Sequence, residues 1–310
     1  MDELELIRRL TPSLPGNDSV VTGAGDDCAV LDLGVPDRLV LFKTDAVVEG
    51  VHFTREAPPA KVGHKAMARC LSDIAAMAGT PSAAVITLAL PSGFDPAFVE
   101  GIYEGLNALA RRHQVAIVGG ETTTNPDRIL ISVAMVGTVA TEKCIRRRGS
   151  KPGDAIFVTG QLGGSIAGRH LDFEPRLAEA RWLADTFAVH AMIDLSDGLA
   201  SDLRHLLEAD RLGAELLKSA IPISRTAKLQ SRSESSAKPP LLAALTDGED
   251  FELLFTVASG DAVPLFDAWK RQFPELSLSC IGKITAETGI RLRDKDALIS
   301  MPAHGYVHFT

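Results

Sequence analysis

Carboxylates in this chain gather at turns and element ends. Asp26 and Asp27 follow Gly25, and Asp45 follows a run that ends at Thr44. Asp73 sits inside the apolar stretch 71–77, and Glu121 follows Gly119 and Gly120. Asp194 and Asp197 bracket Ser196, while Glu249 and Asp250 follow Gly248. One acidic turn residue usually caps a helix or faces water. Recurrence at so many turns asks for more, because converging carboxylates repel unless cations hold them. Hard oxygen donors of this kind suit Mg2+, which bridges readily to phosphate groups.

Other residues point the same way with less force. The segment 159–165, Thr-Gly-Gln-Leu-Gly-Gly-Ser, joins an expected strand to an expected helix. It reads either as an anion cradle of backbone N–H groups or as a tight turn without a ligand. Neither G-x-x-x-x-G-K-[ST] nor G-x-G-x-x-G after a strand occurs, and no G-x-S-x-G elbow is present. One of Arg146, Arg147 and Arg148 could clamp an anion, with the rest of the run solvated. His52 stands close to Asp45 and reads equally as structural or functional. Lys65, Arg69 and Asp73 recur at i, i+4 and i+8, which makes one polar stripe on a helix. A surface ladder of ion pairs would look alike, but the apolar surroundings of Asp73 make an unpartnered carboxylate costly there.

These residues need elements to hold them. Residues 38–44 read as a strand. Val62, Ala66, Cys70, Ile74 and Met77 form one apolar helix face, closed by Gly79 and Pro81. Residues 83–90 read as a strand apolar on both faces, and 96–112 as a helix capped by Asp95. Further strands are expected at 115–118 and 129–138. The basic, turn-rich stretch 144–154 is the candidate domain boundary. The second half restarts with a strand at 155–159, then the glycine-rich turn and a helix. A helix at 197–212 carries Leu199, Leu203, Leu206 and Leu207 on one side. Strands at 251–257 and 277–284 flank a helix at 262–273, and 230–240 reads as a surface loop. The fold class is α/β (α+β) in two domains.

Composition sets outer limits. Hydrophobic residues make up 45% and charged residues 23% of the 310, as in ordinary globular chains. The net charge of −8 argues against a nucleic-acid partner, which would need a basic surface. No apolar run reaches the roughly 18 residues of a membrane helix. The opening MDELELIRRL lacks an apolar signal core, so a cytoplasmic location and no membrane partner are expected. Cys28, Cys70, Cys144 and Cys280 form no C-x-x-C pair and read as small buried hydrophobes.

Taken in order, GAGDDCAV, KTDAVVEGVHF, LSDIAAMAGTP, VGGETT, RRGSKPGD, VTGQLGGS, IDLSDGLASDL, DGEDFELLFT and GYVHF resemble the thiamine-monophosphate kinase family across the chain. That family belongs to the aminoimidazole ribonucleotide synthetase-like superfamily. The resemblance implies an N-terminal ATP- and metal-binding domain at 1–140 that forms a homodimer. It implies a C-terminal domain at 141–310 that completes the active site. It further implies ATP-dependent phosphorylation of thiamine monophosphate to thiamine diphosphate, by direct in-line transfer assisted by several Mg2+ ions. The acceptor phosphate is already ionised near neutral pH, so no general base is required.

Residue by residue, the resemblance makes Asp27, Thr44, Asp45, Asp73, Glu121, Asp194 and Asp197 the metal ligands. It makes Tyr103, Gly120, Glu121, Arg147 and Ser196 the ATP contacts, and His52, Glu249 and Tyr306 the substrate contacts. Glu249 and Tyr306 would suit a cationic thiazolium ring by charge and by π face. Asp26 and Asp250 are second-choice ligands. The chain departs from the family pattern at Glu121 for Asp, Asp247 for Gly, Ala78 as an extra residue in Ala-Met-Gly, and Lys43 for Ser. The alternatives are a sister ATP-using enzyme of the superfamily or a non-catalytic nucleotide-binding homologue. Retention of all the assigned aspartates counts against the second.

Overall fold

A computed structural model describes residues 3–233, 236–301 and 305–306. The elements run α1 (Glu3–Leu10), β1 (Val20–Thr22), β2 (Ala29–Leu31), β3 (Arg38–Val48), α2 (Pro59–Ala76), β4 (Thr80–Leu90), α3 (Pro96–Arg112), β5 (Ala116–Thr124) and β6 (Leu130–Ala140). They continue with β7 (Ala155–Thr159), α4 (Leu177–Thr186), β8 (Val189–Asp194), α5 (Leu199–Glu208), β9 (Gly213–Leu217), α6 (Arg225–Ser233), α7 (Pro240–Thr246), β10 (Leu253–Val257), α8 (Ala262–Gln272), β11 (Leu278–Thr285), β12 (Gly289–Asp294) and β13 (Ala297–Ser300). Two compact units emerge: one is Asp18–Cys144 with His170–Leu177, the other Met1–Asn17, Ile145–Arg169 and Ala178–Thr310.

The first unit is a six-stranded sheet in the order β1-β2-β3-β6-β4-β5. β3 and β6 pair antiparallel along their full length, from Arg38 opposite Ala140 to Val48 opposite Leu130. β4 and β5 are parallel, joined through α3, as a crossover requires. β4 alternates rather than burying both faces: Ala84, Ile86, Leu88 and Leu90 are buried, while Val85 is 40% exposed. Phe42, Val118 and Val136 are likewise exposed, so the side of the sheet that carries them is apolar and open.

On the buried side, α2 and α3 lie against each other closely enough to exclude side chains. A Cβ on Gly63 would stand 1.9 Å from the Ile102 carbonyl oxygen, and one on Gly105 would stand 1.8 Å from that of Ala60. α2 ends where Ala78 takes a left-handed backbone (φ 56°) and the Gly79 N–H closes on the Ile74 carbonyl.

The second unit is a seven-stranded sheet in the order β13-β12-β9-β11-β7-β10-β8. Every residue of β7 and β10 is buried. Leu199, Leu203, Leu206 and Leu207 of α5 bury against this unit's core as the leucine stripe requires. Two expectations fail here. The glycine-rich turn leads into short 3-10 turns at Ser165–Ala167 and Arg169–Leu171, not directly into an α-helix. The supposed loop at 230–240 begins inside α6, which persists to Ser233, its exposed positions filled by good helix formers such as Lys228 and Arg232. Among the described residues no helix is long and apolar enough to cross a membrane.

The tight α2–α3 contact makes a clear prediction. Gly63→Ala should lower the unfolding free energy by about 3 kcal/mol or more, at the upper end of overpacking costs. Gly260→Ala, where nothing lies within 4 Å of a new Cβ, should change it by less than about 0.5 kcal/mol. Urea unfolding of both variants checks this.

Candidate active site

In the first unit, strand alternation decides which groups meet. Lys43 and Asp45 share one face of β3, and Phe42 and Thr44 share the other. Asp73 and Arg69 reach the Lys43 side from α2. The Lys43 ammonium donates to Asp73 Oδ1 at 2.8 Å, and Arg69 Nε donates to Asp45 Oδ2 at 3.4 Å. Asp27 and Asp73 offer carboxylate oxygens within 4.8 Å of each other, and both residues are buried. Burial alone would pull the Lys43 ammonium down, but Asp73 and then Asp45 outweigh it and hold it well above the ordinary lysine range. Burial alone would push Asp45 up; Lys43 and Arg69 prevail and hold it below the usual carboxylate range.

The polar stripe on α2 is therefore no surface ladder. Lys65 is fully buried, and its ammonium meets the His52 carbonyl and His170 Nδ1, each at 2.7 Å. His52 Nδ1 in turn accepts the Val48 N–H at 3.1 Å, so the neutral ring carries its proton on Nε2. Burial pushes the thiols of Cys28 and Cys70 well up, with Asp73 adding to the effect, so both act as buried hydrophobes. Cys144 is only half-buried and Cys280 is exposed, which departs from the expectation for them.

Other residues assigned in this unit lie apart. The Thr44 hydroxyl is on the opposite face from Asp45 and approaches Ser132 Oγ at 3.3 Å. Register places Glu121 opposite Thr87, in the row that runs through Ser132 to Ala46. Three strand spacings separate β5 from β3 in that row, roughly 14 Å. No single Mg2+ shell spans that distance. Gly120 is explained by packing, since a Cβ there would stand 1.8 Å from the Ile86 carbonyl oxygen. Tyr103 is half-buried on α3, and Asp26 Oδ1 accepts the Asp27 N–H.

In the second unit, the β8–β10 pairing runs on beyond the strands and gathers several assigned residues. Asp194 ends β8. The Leu195 N–H donates to the Glu252 carbonyl, Phe251 N–H to Leu195, Glu249 N–H to Ser196, and Tyr306 N–H to Asp197. Ser196, Asp197, Glu249 and Tyr306 are thus tied by backbone bonds of 2.7–2.9 Å. Asp202, which the sequence motifs did not single out, organises the turn: its Oδ2 accepts the N–H groups of Asp197 and Gly198. Burial, then the charges of Asp197 and Asp194, push its carboxyl well up against the pull of Arg147. Its signal was present as an acidic residue in the first turn of a buried helix.

The glycine-rich turn is claimed by carboxylates. The Gly163 N–H donates to Asp250 and the Gly164 N–H to Asp247 Oδ2, at 2.9 Å to each nearest oxygen. These N–H groups therefore staple the turn and do not cradle an anion. Arg169 pairs with Asp250, and burial still pushes that carboxyl up to about 7. Asp250 belongs to this structural staple and is set aside as a ligand.

With the fold and both acidic clusters in view, the chain can be compared with known proteins. Residues 25–139 match the family described as "AIR synthase related protein, N-terminal domain". This assigns the fold to the AIR synthase-related class. The chain is 42% identical over 294 residues to thiamine-monophosphate kinase of Rhodopirellula baltica, covering 93% of this chain and 90% of that one. It is 32% identical to the Bacillus subtilis thiamine-monophosphate kinase over the whole of both chains. Among solved structures, AaThiL complexed with AMPPCP and TMP superimposes with a TM-score of 0.82 at 29% identity, over 99% of this chain and 97% of that one. The chain belongs to the thiamine-monophosphate kinase family.

Removing the cation from the staple should expose what it neutralises. Arg169→Met leaves Asp250 and Glu252 buried beside each other, at a cost of about 2–3 kcal/mol once the half-exposed arginine is discounted. Because the Asp250 carboxyl already sits near 7, it can take up a proton at pH 5 and shed its charge. The loss should therefore be larger at pH 8 than at pH 5 in chemical unfolding.

Proposed function

We propose that this chain transfers the γ-phosphoryl group of ATP to thiamine monophosphate, giving thiamine diphosphate. The observation that carries the reading is the Asp27–Asp45–Asp73 group, buried at Asp27 and Asp73 and half-buried at Asp45, set beside membership of a kinase family. Relatives of 42% and 32% identity are named for this reaction, and AaThiL is described with AMPPCP and TMP.

The donor sets fit Mg2+. Three carboxylates face two cationic side chains in the first unit, a surplus of one negative charge. In the second, burial first and then the charges of Asp197 and Asp194 push the Asp202 carboxyl up. Asp27, Asp45 and Asp73 would hold metal in one unit and Asp194 and Asp197 in the other. Glu121, so far from β3, would serve a different ion. Bound Mg2+ supplies charge neutralisation between two phosphate groups and alignment for in-line transfer.

The chain's own groups do the remaining work. Arg147 and Ser196, with Tyr103 and Gly120, are assigned to the nucleotide. The Lys65 ammonium fixes the His52 backbone, and the Val48 N–H fixes its ring, so His52 presents Nε2–H towards its substrate. Glu249 and Tyr306, held by the 194–198 turn, give a carboxylate and an aromatic face suited to a cationic ring. A homodimer is part of the same reading: Phe42 and Val136, opposite each other in the β3–β6 register, sit on the open apolar side of the first sheet.

The direct test is formation of thiamine diphosphate from ATP, Mg2+ and thiamine monophosphate, beside a panel of other phosphate acceptors. Thiamine monophosphate should be preferred. Asp73→Asn should lower kcat/KM by about 100-fold or more, a loss of several kcal/mol in the transition state. Near-native turnover would remove Asp73 from the site, and preference for another acceptor would favour the sister-enzyme reading. Light scattering should give the mass of a dimer at micromolar concentration, and Val136→Asp should halve it.

A further inference from the structure

Lys43 lies among the carboxylates of the first unit's acidic group, against Asp73 and near Asp45 and Asp27. Its place follows from β3: it lies two residues before Asp45 on the same face, looking at α2. Its ammonium stands 2.8 Å from Asp73 Oδ1, and the paired side chains are 22% and 8% exposed. Arg69 takes Asp45 in the same way, at 3.4 Å. A lysine ammonium is a compact, strongly hydrated point charge, the side chain closest in character to a metal ion. A divalent ion bound directly to Asp73 Oδ1 would stand about 2.0–2.1 Å from it. The oxygen cannot serve both cations at full strength, and two positive centres that close repel.

We propose that the Lys43 ammonium is a built-in cation of this site: it balances Asp73 where a resident divalent ion would otherwise sit, so the cluster assembles without metal and takes up divalent ions tightly only together with nucleotide phosphates. The triphosphate brings the extra negative charge that makes a divalent ion favourable beside Lys43. This rests on the reading of Asp27, Asp45 and Asp73 as metal ligands. It goes beyond that reading in assigning Lys43 as the positioning residue that sets the order of metal entry.

The experiment counts bound Mn2+ by electron paramagnetic resonance, on folded full-length protein, with and without AMPPCP. The wild type should bind Mn2+ weakly alone and tightly with AMPPCP. Lys43→Met should bind Mn2+ without nucleotide at least about tenfold more tightly than the wild type, and Lys43→Arg should behave as the wild type. A merely structural lysine would not raise metal affinity when removed. In EDTA the wild-type melting temperature should hold, while that of Lys43→Met should fall by several degrees and recover with Mg2+. Equal Mn2+ affinity in the wild type and Lys43→Met overturns the proposal and leaves the metal reading intact. No Mn2+ binding in any form, even with AMPPCP, overturns the metal reading and this proposal with it. If Lys43→Met does not fold, Lys43→Ser replaces it. Folding of either variant only in excess Mg2+ supports the proposal, and failure of both with or without Mg2+ overturns it.

Discussion

Mutual repulsion of buried carboxylates is the constraint on which the first unit depends. Asp27, Asp45 and Asp73 come from three separate segments; Asp27 and Asp73 are buried with carboxylate oxygens within 4.8 Å of each other and Asp45 is half-buried, an arrangement that needs counter-charge. β3 supplies Lys43 and Asp45 on one face because strand side chains alternate. α2 supplies Arg69 and Asp73 because residues four apart on a helix share a face. The tight seat of α2 on α3, which requires glycine at 63 and 105, fixes where that polar stripe falls. Helix packing thus sets the electrostatics of the site.

The second unit solves a similar problem with backbone. Its 194–198 turn is held by N–H groups from the 249–252 strand entry and by Asp202 below. The staple of Asp247, Asp250 and Arg169 fixes the neighbouring glycine-rich turn. The contacts of Asp247 account for a carboxylate at that position. It accepts the Gly164 N–H and pairs with Lys238.

Much of this was legible in the sequence. The apolar spacing of α2 and the leucine stripe of α5 are periodic and long, so burial followed from pattern alone. The cost of an unpartnered Asp73 inside an apolar helix pointed to a cation before any partner was known. What stayed hidden depended on contacts distant in the chain. Lys43 meets Asp73 thirty residues away, and Lys65 meets His170 more than a hundred away. Gly163 and Gly164 looked available to an anion because the sequence does not say that Asp250 and Asp247 fold back upon them. The facing direction of Thr44 was available from strand alternation once β3 was extended past residue 44.

The central claim is that the Asp27–Asp45–Asp73 group, prepaired with Lys43 and Arg69, receives divalent metal with the nucleotide. Crystals grown with Mn2+, AMPPCP and thiamine monophosphate test it most directly through anomalous scattering. The account predicts a Mn2+ peak in direct contact with at least one of these three carboxylates, with Lys43 still against Asp73. Ordered nucleotide with no anomalous peak at any of the three would contradict it.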